Sequence, residues 1–455
     1  MTPLGDVAAL ADSYDLVVIG AGPAGMAAAT LAAAKGASTL LVDENPAPGG
    51  QIYRGITNTP LQVKAVLGAD YWRGEAIATA FRDSDAAYLP SATVWQAAQG
   101  FELGISAHGK TRLIHARRVI GATGALERPF PIPGWTLPGV MTAGAAQTLL
   151  KASGIAMEGR VVLAGSGPLL WLIAAQYLAA GSRIDTILDT TPRGNWRNAL
   201  GGLSGFATSP YLRKGLGLLM KVRRSVRVVS GVTALAAEGD ARLEAVRYTS
   251  GGRETVLPVD HLLLHQGVVP NVNLASSMGC EILWDDVQAA FRPRVDGFGE
   301  TSVEGFAIAG DGAGIAGAEA AAERGRLAAL GALAALGLSL AAALLSYHPS
   351  DPSMNSATDA APLNLLGRPG AWFADLVLQG FGLAAILPIP IFLAWGVRLI
   401  VARPIRHPRR SALLTLAAML IGSAALGLAW PAPIGPLDAG AGGVAAEAES
   451  AESEE

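Results

Sequence analysis

The stretch "YDLVVIGAGPAGMAAATLAAAKGASTLLVDENPAPGGQIYR", residues 14–54, decides the fold. It reads as strand, tight turn, helix, strand. Leu16–Ile19 is a continuous apolar run, as expected of a strand covered on both faces. Gly20, Gly22 and Gly25 form GxGxxG, followed at the helix start by Pro23 and Ala24. The first glycine permits the turn. The second lets backbone approach a pyrophosphate, and the third lets helix and strand pack closely. Free N–H groups at the helix start point at the phosphates. Asp43 closes the second strand, 23 residues after Gly20, where a carboxylate can hold a ribose hydroxyl pair, and Glu44 follows it. The spacing predicts a nucleotide-binding βαβ unit.

Three further stretches narrow the nucleotide to FAD. "GGQIYR" supplies Gly50 and Gln51, in a small-residue segment that can skirt a flavin ring. "VIGATG" is a strand ending in Ala122, Thr123 and Gly124. "GFAIAGDGAGIAGAEAAAERG", residues 305–325, gives a strand, then Gly310 and Asp311, then a helix expected to begin near Gly312. Asp311 can accept hydrogen bonds from ribitol, and the helix would aim its positive end at the reduced ring.

The pattern repeats. In "GRVVLAGSGPLLWLIAAQYLAAGSRIDTILDTTP" the distance from Gly165 to Asp189 is 24 residues. Gly165, Gly167 and Asp189 mark a second dinucleotide-type unit. Leu170 replaces the third glycine. NAD, another adenine nucleotide and an empty site all fit this copy. His265 and Gln266, at the end of a strand, either face the flavin or close the strand.

Composition excludes several classes. The net charge of −3 gives no global basic field for nucleic acid. The single cysteine, Cys280, excludes a disulfide-reductase dithiol and an iron–sulfur cluster within the chain, and reads as a small buried apolar residue. The six histidines form no metal motif. No catalytic residue stands out. "GISAHGKT", residues 104–111, satisfies the P-loop string, but alternating strands flank it, so a hairpin is expected instead.

Only 16% of residues are charged, and mean hydropathy is +0.37. Three long apolar runs explain this, at about 327–345, 376–397 and 411–430. Each is near the length that crosses hydrocarbon, although the first also reads as a buried soluble helix. Arg398, Arg403, Arg406, Arg409 and Arg410 lie between the second and third runs, whereas 347–370 holds only Arg368. The positive-inside rule puts the arginine loop in the cytoplasm. The start of the chain reads as lacking a signal peptide, which agrees. A multi-pass protein of the inner (cytoplasmic) membrane is expected, with its redox part in the cytoplasm. Residues 436–455, rich in small and acidic side chains, are expected to be disordered.

Two resemblances complete the reading. "GGQIYR", "ATGALERPFPIPGWTLPGVMTAGAAQTLLK", "VVLAGSGPLLW", "LDTTPR", "LLLHQGVVPN" and "IAGDGAGIAGAEAA" resemble the two-dinucleotide-domain flavoproteins of the glutathione-reductase type. Among these, they are similar to the flavoprotein subunits of opine oxidase, hydrogen cyanide synthase and hydroxyproline dehydrogenase. The resemblance implies an α/β fold with two Rossmann-like domains. The FAD domain would be discontinuous, 14–154 and 271–330, with 155–270 as the second. It also implies a FAD oxidoreductase that takes electrons from amine or amino-acid oxidation beside a second flavoprotein subunit. The relatives' cysteine-rich tail is missing. "SYHPSDPS" and "NLLGRPGA", within 338–430, resemble the membrane anchor of FtsK-type DNA translocases. No P-loop occurs in the 25 residues after Trp430, so DNA pumping is not expected of them. A flavoprotein tethered to a bilayer is the first expectation. A redox-impaired flavoprotein serving as a septal anchor is the second.

Overall fold

The computed structural model describes residues 1–61, 63–98, 100–192, 194, 210–353, 358, 361–387 and 408–429. The chain divides into two compact units. One holds Met1–Thr30 and Thr39–Arg326, the other Leu31–Ser38 and Leu327–Glu455.

The first unit is built on two parallel sheets. Ser13–Ile19 lies between Thr39–Val42 and Lys110–Gly121, parallel to both. Leu16, Val17 and Val18 are fully buried. Each such side chain contributes roughly 1.5–3 kcal/mol to folding. Phe306–Ile308 returns from far along the chain to pair with Lys110–Gly121. On the other side Glu102–Ala107 and Ala92–Ala97 extend the sheet antiparallel. His108 and Gly109, both with positive φ, turn Glu102–Ala107 into Lys110–Gly121. A two-residue hairpin of this hand needs that conformation, so "GISAHGKT" is a hairpin.

The chain leaves the first sheet along Ala125–Glu127 and returns along Val268–Pro270, and these strands pair antiparallel. Between them lies a five-stranded parallel sheet, in the order Arg227–Ser230, Thr186–Asp189, Val161–Gly165, His261–His265, Val140–Thr142. Its last strand comes from a stretch expected within the first domain. Three residues are too few to show a strand period in sequence. A sheet edge nevertheless gains hydrogen-bonded partners by recruiting them. Val162, Ala164, Leu188, Leu262 and Leu264 share a core with Val246 and Tyr248 of a three-stranded antiparallel sheet.

In the second unit, Asp351 of "SYHPSDPS" is buried and accepts the N–H groups of Leu363 (2.7 Å) and Asn364 (2.8 Å). Asn364 Nδ2 donates to Ala343 O (2.8 Å), and Tyr347 donates to Asp375 (3.1 Å). The motif closes its own loop. The helices are the later part of Ala318–Leu345, Gly367–Phe381 and Pro408–Ala429. Among the described residues no helix is long and apolar enough to cross a membrane. The expected span 376–397 begins inside Gly367–Phe381 and passes through the turn Gly382–Ile386. Residues 388–407, with Arg398, Arg403 and Arg406, and the tail 436–455 lie outside the described residues.

Candidate flavin site

The turn after the first strand is shaped by what cannot be present. Gly20 has φ +106°, and a Cβ there would stand 2.5 Å from Ala122 O. A Cβ on Gly25 would overlap the Gly20 carbonyl oxygen. The helix Pro23–Ala34 therefore starts against bare backbone, with proline at its first position, where no N–H is needed. Gly49 N–H donates to Ala21 O (2.8 Å), and a Cβ on Gly50 would stand 2.8 Å from Gly22 Cα. "GGQIYR" is thus fastened across the glycine turn.

Asp43 is buried and turned inward. Its carboxylate accepts the Ala21 N–H and both the backbone N–H (2.7 Å) and side-chain amide (2.8 Å) of Asn45. Two carboxylate oxygens offer about four lone-pair sites, and three are taken. Glu44, the next residue, is exposed.

Two distant stretches meet this turn. Ala122 N–H donates to Ile19 O (2.8 Å), and Ala309 N–H to Gly121 O (2.9 Å). A Cβ on Gly310 would lie 2.8 Å from the Ala24 Cβ, and one on Gly312 would lie 3.5 Å from Gly124 O. Gly325 crosses the first helix so closely that a Cβ would overlap Ala24 O. The expected helix near Gly312 is corrected. Gly310–Ala313 is one 3-10 turn, and the helix starts at Ala318. Gly314 (φ +129°) and Gly317 (φ +90°) hold conformations foreign to a helix. Asp311 spans the gap by accepting the N–H groups of Ala316 (2.9 Å) and Gly317 (3.1 Å). Arg324 donates to the Gly310 and Gly314 carbonyls from the following helix.

This arrangement fits FAD. Gly20–Gly25, Gly50, Ala122–Gly124 and Gly310–Gly312 form one glycine-lined cradle. Within it the Thr123 hydroxyl is buried without a hydrogen-bond partner among the described residues. An unpaired buried hydroxyl costs roughly 1–3 kcal/mol, which a ligand can offset.

The second copy is different. Gly165 (φ +140°) pairs in register with Asp189 and His265. Leu170 is fully buried in the helix Pro168–Ala179, so the third position is filled by side chain. Asp189 accepts the Thr191 N–H (3.0 Å). His265, 2% exposed, has Nδ1 2.6 Å from Glu127, which also accepts the Gly144 N–H (2.8 Å). Gln266 bridges Ser166 and Thr190. His265 and Gln266 thus pack around the second glycine turn. The sequence reading missed Glu127 and Lys151: both lie within "ATGALERPFPIPGWTLPGVMTAGAAQTLLK", but nothing in that string marks either side chain as buried or as a hydrogen-bonding centre. Cys280 is buried, its Sγ lies 3.3 Å from Thr301 Oγ1, and burial pushes its thiol pKa up.

A glycine cradle on one parallel sheet, with a modified copy on the next, defines a two-sheet dinucleotide-binding oxidoreductase. The family model "Pyridine nucleotide-disulphide oxidoreductase" matches residues 14–325, and the chain belongs to that family. It is a FAD-dependent oxidoreductase. The chain is 49% identical over 367 residues to an opine oxidase subunit of Agrobacterium tumefaciens (strain Ach5), covering 79% of this chain and 72% of the relative. Thioredoxin reductase of T. acidophilum shares the fold at TM-score 0.52 and 22% identity, over 70% of this chain and 97% of its own. A second model, the 4TM region of DNA translocase FtsK/SpoIIIE, matches residues 323–448. FtsK of Agrobacterium fabrum (strain C58) is 40% identical over 119 residues, covering 26% of this chain and 13% of the translocase. The two family matches overlap within the helix Ala318–Leu345.

Proposed function

We propose that the chain is the electron-transferring FAD subunit of an oxidase or dehydrogenase acting on amines, amino acids or opines. The observation carrying this is the convergence of Gly20–Gly25, Ala122–Gly124 and Gly310–Gly312 around the unpaired Thr123 hydroxyl. The backbone at Gly20, Gly22, Pro23, Ala24 and Gly25 would hold the pyrophosphate. Asp43, with one lone-pair site left, and the exposed Glu44 beside it would hold the ribose. Gly50, Gln51, Ala122, Thr123, Gly124, Gly310 and Asp311 would line the flavin. The bound flavin supplies a two-electron acceptor. The chain's own groups orient it, exclude water and donate hydrogen bonds. Residues 14–154 and 271–330 would form the FAD domain, apart from the strand Val140–Thr142, which completes the second sheet, and 155–270 the second domain, with Gly165, Gly167 and Asp189 offered to NAD or another adenine nucleotide. The partner is a second flavoprotein subunit that oxidises the amine. The Agrobacterium relative's name supports this reading, since it describes one subunit of an opine oxidase.

Residues 327–430 would tether the chain to the inner membrane through three spans, with the flavin part in the cytoplasm. The FtsK-type match over 323–448 supports this. The same match favours a second reading, a redox-impaired flavoprotein retained as an anchor. A donor screen on the purified full chain separates the two. Bleaching of bound oxidised flavin by opines, amines or NADH, alone or with the partner subunit, supports the enzyme. A flavin that none of them reduces supports the anchor, and a colourless protein that cannot be loaded with FAD ends the first reading.

A further inference from the structure

Lys151 lies in the last turn of the helix Ala143–Ser153 and is 3% exposed. Lysine is almost never fully buried unless its charge is matched. Here Nζ donates to Gln51 O (3.2 Å), Ile52 O (2.9 Å) and Gln147 Oε1 (2.9 Å). An ammonium has three N–H donors and no acceptor, so all three are used. All three acceptors are carbonyl oxygens. The protonated form satisfies all three bonds, whereas a neutral amine would turn its lone pair toward one of the carbonyls.

The bonds continue away from the loop. Gln147 sits one turn earlier on the same helix face. Because Lys151 can only donate, Gln147 must present its oxygen there, which sends its amide N–H to Gln176 Oε1 (2.8 Å). Gln176 must in turn donate, and it does so to Leu67 O (3.0 Å). Gln147 and Gln176 are 7% and 4% exposed. One cation therefore fixes both amide orientations along an unbroken buried path. The path starts at the segment carrying Gly50 and Gln51. It crosses Ala143–Ser153 and reaches Pro168–Ala179, the helix that opens at the second glycine turn. Other bonds hold the same segment: Thr59 donates to Lys151 O (2.7 Å), and Tyr71 donates to Arg54 O (2.8 Å).

We propose that Lys151 is a positioning residue for the flavin-lining segment Gly49–Arg54, and that Gln147 and Gln176 couple that segment to the helix of the second glycine turn. The proposal rests on the FAD reading above. A perturbation at Gln176 then alters FAD affinity although the hydrogen bonds of its side chain run to Gln147 and Leu67 and not to the proposed flavin-lining residues.

The test is a double-mutant cycle on the full chain. Lys151→Met keeps the side chain's length and removes the donors, and Gln176→Leu breaks the path at its far end. FAD titration of the apoprotein should weaken about tenfold for Lys151→Met and about threefold for Gln176→Leu, with the double variant no weaker than Lys151→Met alone. Amide hydrogen exchange over residues 49–54, measured without flavin, should quicken in both single variants. Exchange there unaltered by Gln176→Leu, or losses in affinity that multiply, would overturn the coupling. A wild-type chain that takes up no FAD would instead sink the FAD reading, whatever the exchange shows. Where Lys151→Met fails to fold, Gln176→Leu alone still decides through the exchange measurement.

Discussion

At the scale of single residues, the flavin reading turns on one side chain that must be absent and on one buried amine whose charge varies with pH. Gly25→Ala drives a methyl group into the Gly20 carbonyl. Overpacking of this kind costs about 1–3 kcal/mol, and the purified variant is expected to lose most of its flavin absorbance. Lys151 titrates with two opposed consequences. Burial, with Arg54's charge second, pulls its pKa from 10.5 to about 7. The unfolded chain then binds more protons between about pH 7 and 10.5, so folding stability rises with pH across that window and is lowest below about 7. The rise is on the order of 5 kcal/mol across the whole window, roughly 2–3 kcal/mol of it between pH 7 and 9. FAD affinity should move the other way, because an amine has two N–H groups for three carbonyls. Of the neighbours that face it, the buried Tyr71 phenol is pushed up to about 12. Urea midpoints and FAD titrations from pH 6 to 9 should show opposite slopes, and Lys151→Met should flatten both. The glycines were legible because each has a steric reason that a spacing rule encodes. Lys151 was not, since "QTLLK" carries no sign that its lysine is buried.

Among elements, the strands framed by a glycine turn and a closing acid were readable even when short, and those without such a frame were not. Ser13–Ile19, Thr39–Val42, Val161–Gly165 and Thr186–Asp189 follow from apolar runs bounded by glycine and acid. Val140–Thr142 does not, because its pairing is set by an exposed sheet edge and not by its own pattern. The helix expected near Gly312 starts at Ala318 because Gly314 and Gly317 hold positive φ; a run of small residues is mute about that choice. This helix crosses Pro23–Ala34 at Gly325, where a Cβ would overlap Ala24 O. Gly325→Leu should part the two helices and lower flavin content several-fold, although residue 325 follows Asp311 by 14 positions. Flavin-to-protein absorbance ratios on the folded variant would check it; an unaltered ratio would show that the crossing does not support the cradle.

For the whole molecule, composition raised the expectation of two solvents before any motif was placed. Residues 14–325 match a redox family and 323–448 match a translocase membrane region. Full-length protein expressed in bacteria is expected in the membrane fraction, resistant to alkaline carbonate and released by detergent. Recovery in the carbonate supernatant would refute the tether while leaving the flavin reading intact. The orientation inferred from the arginine loop could not be followed in the fold, because residues 388–407 lie outside those described.

Cys280 is shut in beside Thr301, and burial raises its pKa, so thiolate-directed reagents should meet a silent background. A single cysteine introduced at an exposed site such as Val287 would then carry a fluorophore or spin label without first removing a native thiol. Distances from the redox portion to lipid-borne probes would then test the proposed tether in the otherwise unaltered chain.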